Sequence, residues 1–127
     1  MRSTLFSLLL FTSSYAVAAT PAELLAGYTT PAGQLANPSK GEAFFKASHG
    51  QAWQCTSCHG QSPMVGGRHA STDKAIEPLA PAANPKRFTD SAKAEKWFRR
   101  NCKDVLAREC TAAEKADVLS WLLTLKP

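Results

Sequence analysis

The segment from Trp53 to Gly60 contains Cys55, Cys58 and His59 in the order Cys-x-x-Cys-His. This pattern is the signature of covalent haem attachment. Two thiols about one helical turn apart can each form a thioether bond with one porphyrin vinyl group, and the histidine that follows lies under the iron as its proximal ligand. The motif therefore predicts one covalently bound haem c, attached through Cys55 and Cys58, with His59 as an iron ligand.

Two other kinds of site use a similar pair of cysteines. A thioredoxin-like redox centre needs a βαβ unit around the pair, and the sequence shows no strand-rich segment. A zinc site would take its ligands from Cys55, Cys58, Cys102 and Cys110, but the second pair is too widely spaced for another Cys-x-x-Cys unit. The motif favours haem attachment, and zinc binding and dithiol chemistry are the alternatives.

The N-terminus has the pattern of a secretory signal peptide. Arg2 supplies the positive charge, residues 5–17 are largely apolar, and Ala16-Val17-Ala18 is an A-x-A cleavage site. The apolar stretch is short and interrupted by Thr and Ser, which favours a cleaved signal over an uncleaved membrane anchor. We expect a signal peptide at 1–18, cleaved near Ala18/Ala19, and a single exported, soluble domain at 19–127 in a bacterial periplasm.

Two cysteines, Cys102 and Cys110, remain once the motif pair is assigned to haem. An oxidising compartment favours a disulfide between them. Closing so short a loop stabilises a fold by roughly 2.5 kcal/mol according to the chain-entropy estimate. Two free thiols are the alternative that the sequence leaves open.

The charge of the chain limits its partners. The formal net charge is +5, and it falls to about +4 when Arg2 leaves with the signal peptide. The basic residues are scattered rather than clustered, so the sequence does not favour a nucleic-acid partner. A basic face that orients the protein on an acidic redox partner is one interpretation, and plain solubility is the other.

Helix signals dominate the mature chain. Capping boxes, in which a Thr or Ser is followed three residues later by Glu, begin at Thr20, Ser39 and Thr111. They predict a short first helix that ends near Gly27, a second helix that ends at about His49, and an amphipathic C-terminal helix. A further helix is predicted from the caps at 89–91 to about residue 102.

The segment 61–88 is rich in glycine and proline and shows no sustained period. We expect it to be irregular, with at most a turn or two of helix at 71–77, and to be organised by packing against the haem plane. The chain shows no internal repeat and no strand alternation, and the predicted fold class is all-α.

The order of these features resembles class I cytochromes c. A glycine-and-aromatic helix precedes the Cys-x-x-Cys-His motif, and loops and a terminal amphipathic helix follow it. The resemblance implies four to five helices wrapped around one haem, with the first and last helices crossing where Gly41 and Phe45 meet Trp121 and Leu122. The chain departs from the class at the second axial ligand, because Met64 lies too near the motif to reach the opposite haem face.

This departure agrees with a narrower resemblance. The sequence contains Trp-Phe-Arg-Arg-Asn-Cys at 97–102, a second cysteine eight residues on, and Pro-Leu-Ala-Pro, Asn-Pro and Arg-Phe-Thr-Asp between Pro78 and Asp90. These segments resemble the SHP family (sphaeroides haem protein), a group of high-spin, oxygen-binding cytochromes c. The resemblance implies that Asn101 is the distal iron ligand in the ferric state and that Cys102 and Cys110 form a disulfide.

An asparagine ligand has chemical consequences. A neutral amide oxygen is a hard donor that suits ferric iron better than ferrous iron. We therefore expect a high-spin ferric haem from which Asn101 departs on reduction, which opens a site for O₂, NO or CO. The freed amide can donate a hydrogen bond to bound dioxygen. The alternative ligands are Met64, which would give a low-spin electron carrier, and His49 and His69.

The predicted function is electron transport by a periplasmic monohaem cytochrome with redox-dependent binding of O₂, NO or CO. The alternatives are a closed-site electron carrier and a gas- or peroxide-reducing enzyme. An enzyme needs an acid–base pair beside the iron, and only Arg99 and Arg100 stand near the predicted ligand in sequence, so the sequence favours a carrier over an enzyme. The family resemblance also implies a dihaem cytochrome c and a membrane cytochrome b as redox partners.

Overall fold

A computed structural model describes residues 18–127, so the predicted signal peptide lies outside the described residues except for Ala18. The described chain forms five helices and one two-stranded hairpin. The elements are α1 (Pro21–Ala32), α2 (Pro38–Lys46), α3 (Cys55–His59), β1 (Gly67–Arg68), β2 (Ala75–Ile76), α4 (Ser91–Leu106) and α5 (Ala112–Thr124). The prediction of an all-α fold with four to five helices is confirmed. No helix within 18–127 is long and apolar enough to cross a bilayer.

The first helix begins where the sequence predicts and ends later. Thr20 and Glu23 form the capping box, with each side chain accepting a hydrogen bond from the other residue's backbone N–H. The predicted end near Gly27 is wrong, because the helix continues to Ala32. Tyr28, one turn after Leu24, is buried on the face that packs against the core, and this burial offsets the helical cost of Gly27.

The N-cap of the second helix lies two residues before the predicted one. It is Asn37 rather than Ser39, and the Asn37 side chain accepts a hydrogen bond from the Lys40 N–H at 3.1 Å. The Asn37 N–H in turn donates to the Asp117 carboxylate at 2.7 Å. This long-range bond stabilises Asn37 as the N-cap, and Pro38 then occupies the first helical position.

Two differences from the sequence-based expectation lie in the second half of the chain. The segment 71–77 forms no helix. Its first residues belong to a single turn in which the Asp73 N–H donates to the His69 carbonyl oxygen at 2.9 Å, and Ala75 and Ile76 pair antiparallel with Arg68 and Gly67. α4 is capped by Asp90, whose side chain accepts from the Lys93 N–H at 2.9 Å. The helix then continues past the expected end at residue 102, to Leu106.

The core is built around α5, which packs against both α1 and α2. α2 and α5 approach closely at Gly41, where an added Cβ would overlap the Asp117 carbonyl oxygen and crowd Val118. The two helices cross as expected, but Gly41 lies against Asp117 and Val118, which are one turn before Trp121 and Leu122 on α5. The Phe45 ring meets the Trp121 ring at 5.1 Å between centroids.

Candidate haem-binding site

The Cys-x-x-Cys-His motif forms the short helix α3. The Gln54 N–H donates to the Ser57 hydroxyl at 3.0 Å at the start of the helix. Cys55 and Cys58 lie about one turn apart, and both are partly buried free thiols. Burial raises the pKa of Cys55 to about 11, so its thiol is protonated at neutral pH. This protonation disfavours the thioredoxin-like alternative, which needs an activated thiolate.

His59 has the protonation state that a metal ligand requires. Burial, and secondarily the positive charge of Arg87, lowers the pKa of His59 to about 4. Its imidazole is therefore neutral at physiological pH and keeps a ring nitrogen available for coordination. The ring lies 6.0 Å from that of Phe45, between centroids, so α2 packs beside it.

The β1–β2 hairpin supports the motif helix. A Cβ added to Gly67 would overlap the Cys58 carbonyl oxygen and touch the His59 backbone. The Ala70 N–H donates to Cys58 Sγ at 3.3 Å. The hairpin therefore positions Cys58. In the sequence the hairpin is marked by the Gly66-Gly67 pair, and such a pair is equally typical of a loop.

The irregular segment after the hairpin is held by its own hydrogen bonds. The Arg87 guanidinium donates to the carbonyl oxygens of Pro78 at 2.9 Å and Glu77 at 2.8 Å. The carbonyl oxygen of Pro63, a fully buried residue, accepts from the Leu79 N–H at 2.9 Å. This segment therefore has an internal framework in addition to the haem contacts that the sequence suggests.

The structure places Asn101 on the exposed surface of α4, directly before a buried cysteine. It contains the implied disulfide, in which Cys102 and Cys110 have Cα atoms 5.6 Å apart. Trp97 lies one turn before Asn101, and its side chain is 43% exposed. The Arg100 guanidinium stacks over the Trp97 ring at 5.2 Å. The candidate distal ligand, the Asn101 amide, thus lies one turn from an exposed aromatic ring and directly before the disulfide.

The motif helix and α4 contact the same part of the core. Cys55 and Phe98 both pack against one hydrophobic cluster, and Phe98 lies three residues before Asn101 on α4. The buried members of that cluster are Phe45, Val118, Trp121 and Leu122. The fold therefore joins the proximal and distal candidate ligands through a shared set of side chains.

The alternative histidine ligands have other partners. A ring nitrogen of His49 lies 2.9 Å from the Phe44 carbonyl oxygen, and the His49 ring packs 4.5 Å from the Phe44 ring. His69 lies at the hairpin, where its Nδ1 accepts from the Ser71 N–H at 3.3 Å. Neither histidine lies on α4. The third alternative, Met64, is partly buried in the irregular segment.

The donor set fits a covalently bound haem. Cys55, Cys58 and His59 provide two thiols and a neutral imidazole within the five residues of α3. Val65 and Trp97 are 63% and 43% exposed and offer apolar surface. Zinc fits poorly, since two of the four cysteines form a disulfide. Within the described chain no three or more His, Cys, Asp or Glu side chains are grouped to hold an ion.

Comparisons with known proteins agree with this site. A family model described as "Domain of unknown function (DUF1924)" matches residues 31–122. The cytochrome c-type protein SHP of Cereibacter sphaeroides is 47% identical over 106 residues, which cover 80% of this chain and 81% of that protein. Cytochrome c'' of Methylophilus methylotrophus is 44% identical over 80 residues, which cover 63% of this chain and 56% of that protein.

Two solved structures of cytochromes c are also similar to this chain. The structure of oxidised SHP, an oxygen-binding cytochrome c, matches with a TM-score of 0.81 and 46% identity over 85% of this chain and 99% of that one. Oxidised cytochrome c'' from Methylophilus methylotrophus matches with a TM-score of 0.72 and 35% identity over 84% of this chain and 95% of that one.

The fold, the donor set and these relatives define a class, the c-type cytochromes, whose cofactor is a single covalently bound haem c. Within this class the chain belongs to the SHP family, and it also matches the DUF1924 model.

Proposed function

We propose that the mature chain, residues 19–127, is a periplasmic monohaem cytochrome that carries single electrons and binds a diatomic gas when reduced. The observation that carries the proposal is the similarity to SHP, an oxygen-binding cytochrome c, at 46% identity over 85% of this chain. The proposed gases are O₂, NO and CO. The A-x-A site at 16–18 supports export, because c-type haem is attached outside the bacterial cytoplasm.

Each candidate ligand has a separate role in this proposal. Cys55 and Cys58 would hold the cofactor by thioether bonds, and the neutral imidazole of His59 would bind its iron. When bound, haem supplies an iron that exchanges one electron and accepts a further axial ligand. The Asn101 carboxamide would supply a hard oxygen donor to the ferric iron. The disulfide at Cys102 keeps its backbone in place when the side chain departs.

Detachment of a haem ligand has a parallel in a relative. A solution structure of cytochrome c'' is described as giving insights into haem-ligand detachment, and it matches this chain with a TM-score of 0.74 and 33% identity. Asn101 is exposed on α4, so its side chain has room to rotate away. Once released, its NH₂ group is a donor for a gas ligand.

The surface of α4 supports a role with acidic redox partners. Lys93, Lys96, Arg100 and Lys103 recur every three or four residues, so they lie along one exposed face of the helix. A basic face next to the distal side attracts and orients an acidic partner. We propose a dihaem cytochrome c and a membrane cytochrome b as the proteins that exchange electrons with it.

The decisive experiment is a set of absorption spectra of the purified holoprotein, ferric and ferrous, with and without CO. We expect a high-spin ferric spectrum and a ferrous form that binds CO. Asn101→Ala should alter the ferric spectrum and speed the binding of added ligands. Asn84→Ala is the matched control, because the Asn84 amide bonds Glu77 and the Lys86 backbone instead.

Two results would contradict the proposal. One is a methionine-ligated, low-spin spectrum in both redox states, which would identify Met64 as the ligand and the chain as a closed electron carrier. The other is an Asn101→Ala protein with the ferric spectrum and ligand-binding rates of the wild type.

A further inference from the structure

The side chain of Lys115 is a cation enclosed between three helices. It is only 14% exposed, and its Nζ lies 2.7 Å from a carboxylate oxygen of Glu95 on α4. The same Nζ lies 5.5 Å from the centre of the Tyr28 ring on α1 and 6.0 Å from the Phe98 ring on α4. An ammonium group is costly to bury unless a carboxylate and aromatic faces compensate it. Lys115 therefore joins α1, α4 and α5 at one point.

The carboxylate of Glu95 is ionised in this arrangement. Burial by itself raises the pKa of Glu95, but the hydrogen bond and charge of Lys115, together with the Tyr28 hydroxyl and the charge of Arg99, outweigh burial and hold the pKa of Glu95 below its usual value. Burial, with the nearby Glu95, raises the pKa of the Tyr28 hydroxyl far above its usual range. That hydroxyl makes no hydrogen bond of acceptable geometry within the described residues. Among residues 18–127, Glu95 is the carboxylate that pairs with the Lys115 ammonium.

The position of Glu95 on α4 gives the ion pair a geometric consequence. Glu95 and Cys102 are seven residues apart, which is about two helical turns, so they lie on the same face. Cys102 is bonded to Cys110 just before α5, and Glu95 is paired with Lys115 on α5. The backbone of α4 approaches the other helices less closely than α1 and α2 approach α5. These two attachments are therefore strong constraints on how α4 is seated.

Two attachments restrain the orientation of α4 more than one attachment does. A helix held only at Cys102 can pivot about that point and rotate about its axis. A second attachment at Glu95, two turns away on the same face, opposes both motions. Asn101 lies between these two points, so the rotation of α4 sets the direction of its side chain.

We propose that Glu95 and Lys115 are positioning residues that hold α4 in the rotation in which Asn101 reaches the haem iron. The inference rests on the proposed role of Asn101 as a distal ligand. Its test measures how easily an added ligand displaces Asn101 from the ferric holoprotein.

The test is a titration of the ferric holoprotein with imidazole, followed by absorption. Lys115→Met keeps a long apolar side chain against Tyr28 and Phe98 but removes the ion pair. We expect imidazole to bind about fivefold more tightly to this variant, which corresponds to about 1 kcal/mol, because Asn101 competes less well. Glu95→Gln should act in the same direction. Lys115→Arg, which keeps the charge, should retain the wild-type affinity.

Lys46→Met is a matched control. Lys46 makes an ion pair with Glu42 at 2.6 Å and lies 6.0 Å from the centre of the Trp121 ring, so the substitution removes the same types of contact. It lies on α2, away from Asn101, and should leave imidazole affinity unchanged. An equal rise in affinity in Lys46→Met and Lys115→Met would overturn the proposal. So would an unchanged affinity in a Lys115→Met protein that urea denaturation shows to be folded.

The same substitution in an Asn101→Ala background separates this inference from the function on which it rests. With Asn101 absent, Lys115→Met should no longer change imidazole affinity. A persistent effect would show that Lys115 acts by another route, and the positioning role would be rejected. If Asn101→Ala alone leaves the ferric spectrum and imidazole affinity at wild-type values, the ligand assignment itself fails, whatever the Lys115 variants do.

Discussion

Gly41 occupies a position where any side chain would collide with the backbone of α5. A Cβ there would overlap the carbonyl oxygen of Asp117, and a backbone atom has little freedom to move away. We predict that Gly41→Ala lowers the free energy of unfolding of the holoprotein by about 3 kcal/mol, the upper end of typical overpacking costs. Urea denaturation followed by far-UV circular dichroism measures the change.

A second glycine provides the control for this substitution. Gly27 lies inside α1, and a Cβ added there meets no atom within 4 Å. Gly27→Ala should therefore stabilise the protein by about 0.5–1 kcal/mol, because alanine loses less conformational entropy in a helix. Equal denaturation midpoints for the two variants would show that the contact between α2 and α5 is not close enough to exclude a methyl group.

Gly67 has a similar position beside the motif helix. Its Cβ would overlap the Cys58 carbonyl oxygen, so Gly67→Ala must push the hairpin away from Cys58 or shift α3. We predict a lower content of covalent haem per chain, measured by pyridine haemochrome absorbance after acid–acetone extraction of any unattached haem. Gly27→Ala again serves as the control. A normal haem content and spectrum in Gly67→Ala would show that the hairpin does not position the attachment site.

At the scale of single elements, we expect the stability of the start of α5 to depend on pH. Glu114 accepts hydrogen bonds from the Arg108 guanidinium and the Thr111 N–H, and these bonds hold the pKa of Glu114 below its ordinary value of 4.5 despite partial burial. A carboxylate with a lowered pKa in the folded state stabilises the fold above its unfolded-state pKa. That contribution is lost as the pH falls through the lower, folded-state value.

Glu114→Gln tests this dependence. We expect a loss of about 0.5–1 kcal/mol at pH 7, as is typical for an acidic side chain at a helix N-terminus. The difference from wild type should shrink as the pH falls below the ordinary value of 4.5 and through the lower folded-state pKa, where the wild-type carboxylate becomes protonated as well. Urea denaturation at several pH values measures it, and Glu42→Gln, at an exposed pair on α2, is the comparison. A difference that is constant with pH would contradict the assignment.

The helix ends show what the sequence can and cannot predict. The capping boxes at Thr20 and Thr111 were predicted correctly because their contacts span only three residues. The box at Ser39 was wrong because Asn37, bonded to Asp117 from α5, takes its place. The hairpin was missed for the same reason, since Gly67 is fixed by contacts with α3 that no local pattern records.

The candidate site divides in a similar way. The attachment residues Cys55, Cys58 and His59 were visible as a local motif, because thioether bonds and axial ligation require that spacing. Asn101 carries no such pattern, and its role was implied only by the resemblance to the SHP family. The ion pair of Glu95 with Lys115 was not predicted at all, because it joins residues that are twenty positions apart on separate helices.

At the scale of the whole molecule, α4 and α5 differ in how they are held. α5 has an unbroken run of buried residues at 116–122, whereas α4 buries only Ala94, Cys102 and Val105. Helices with fewer buried contacts open in smaller, less costly steps than the global unfolding reaction. We predict that native-state hydrogen exchange, measured by NMR, gives α4 amides a lower opening free energy than α5 amides. Equal opening free energies in both helices would contradict this division.

The proposed ligand connects this difference in stability to the redox state. In the proposed function Asn101 binds the haem iron of the ferric protein and so connects α4 to the haem, and reduction removes this connection. Reduction should therefore speed exchange in α4 selectively and leave α5 unchanged. In the Asn101→Ala variant, α4 amides should exchange at the same rate in both redox states, because the variant lacks the proposed ligand. If reduction still speeds α4 exchange in this variant, or speeds exchange equally in α4 and α5, the change in exchange rate does not depend on Asn101.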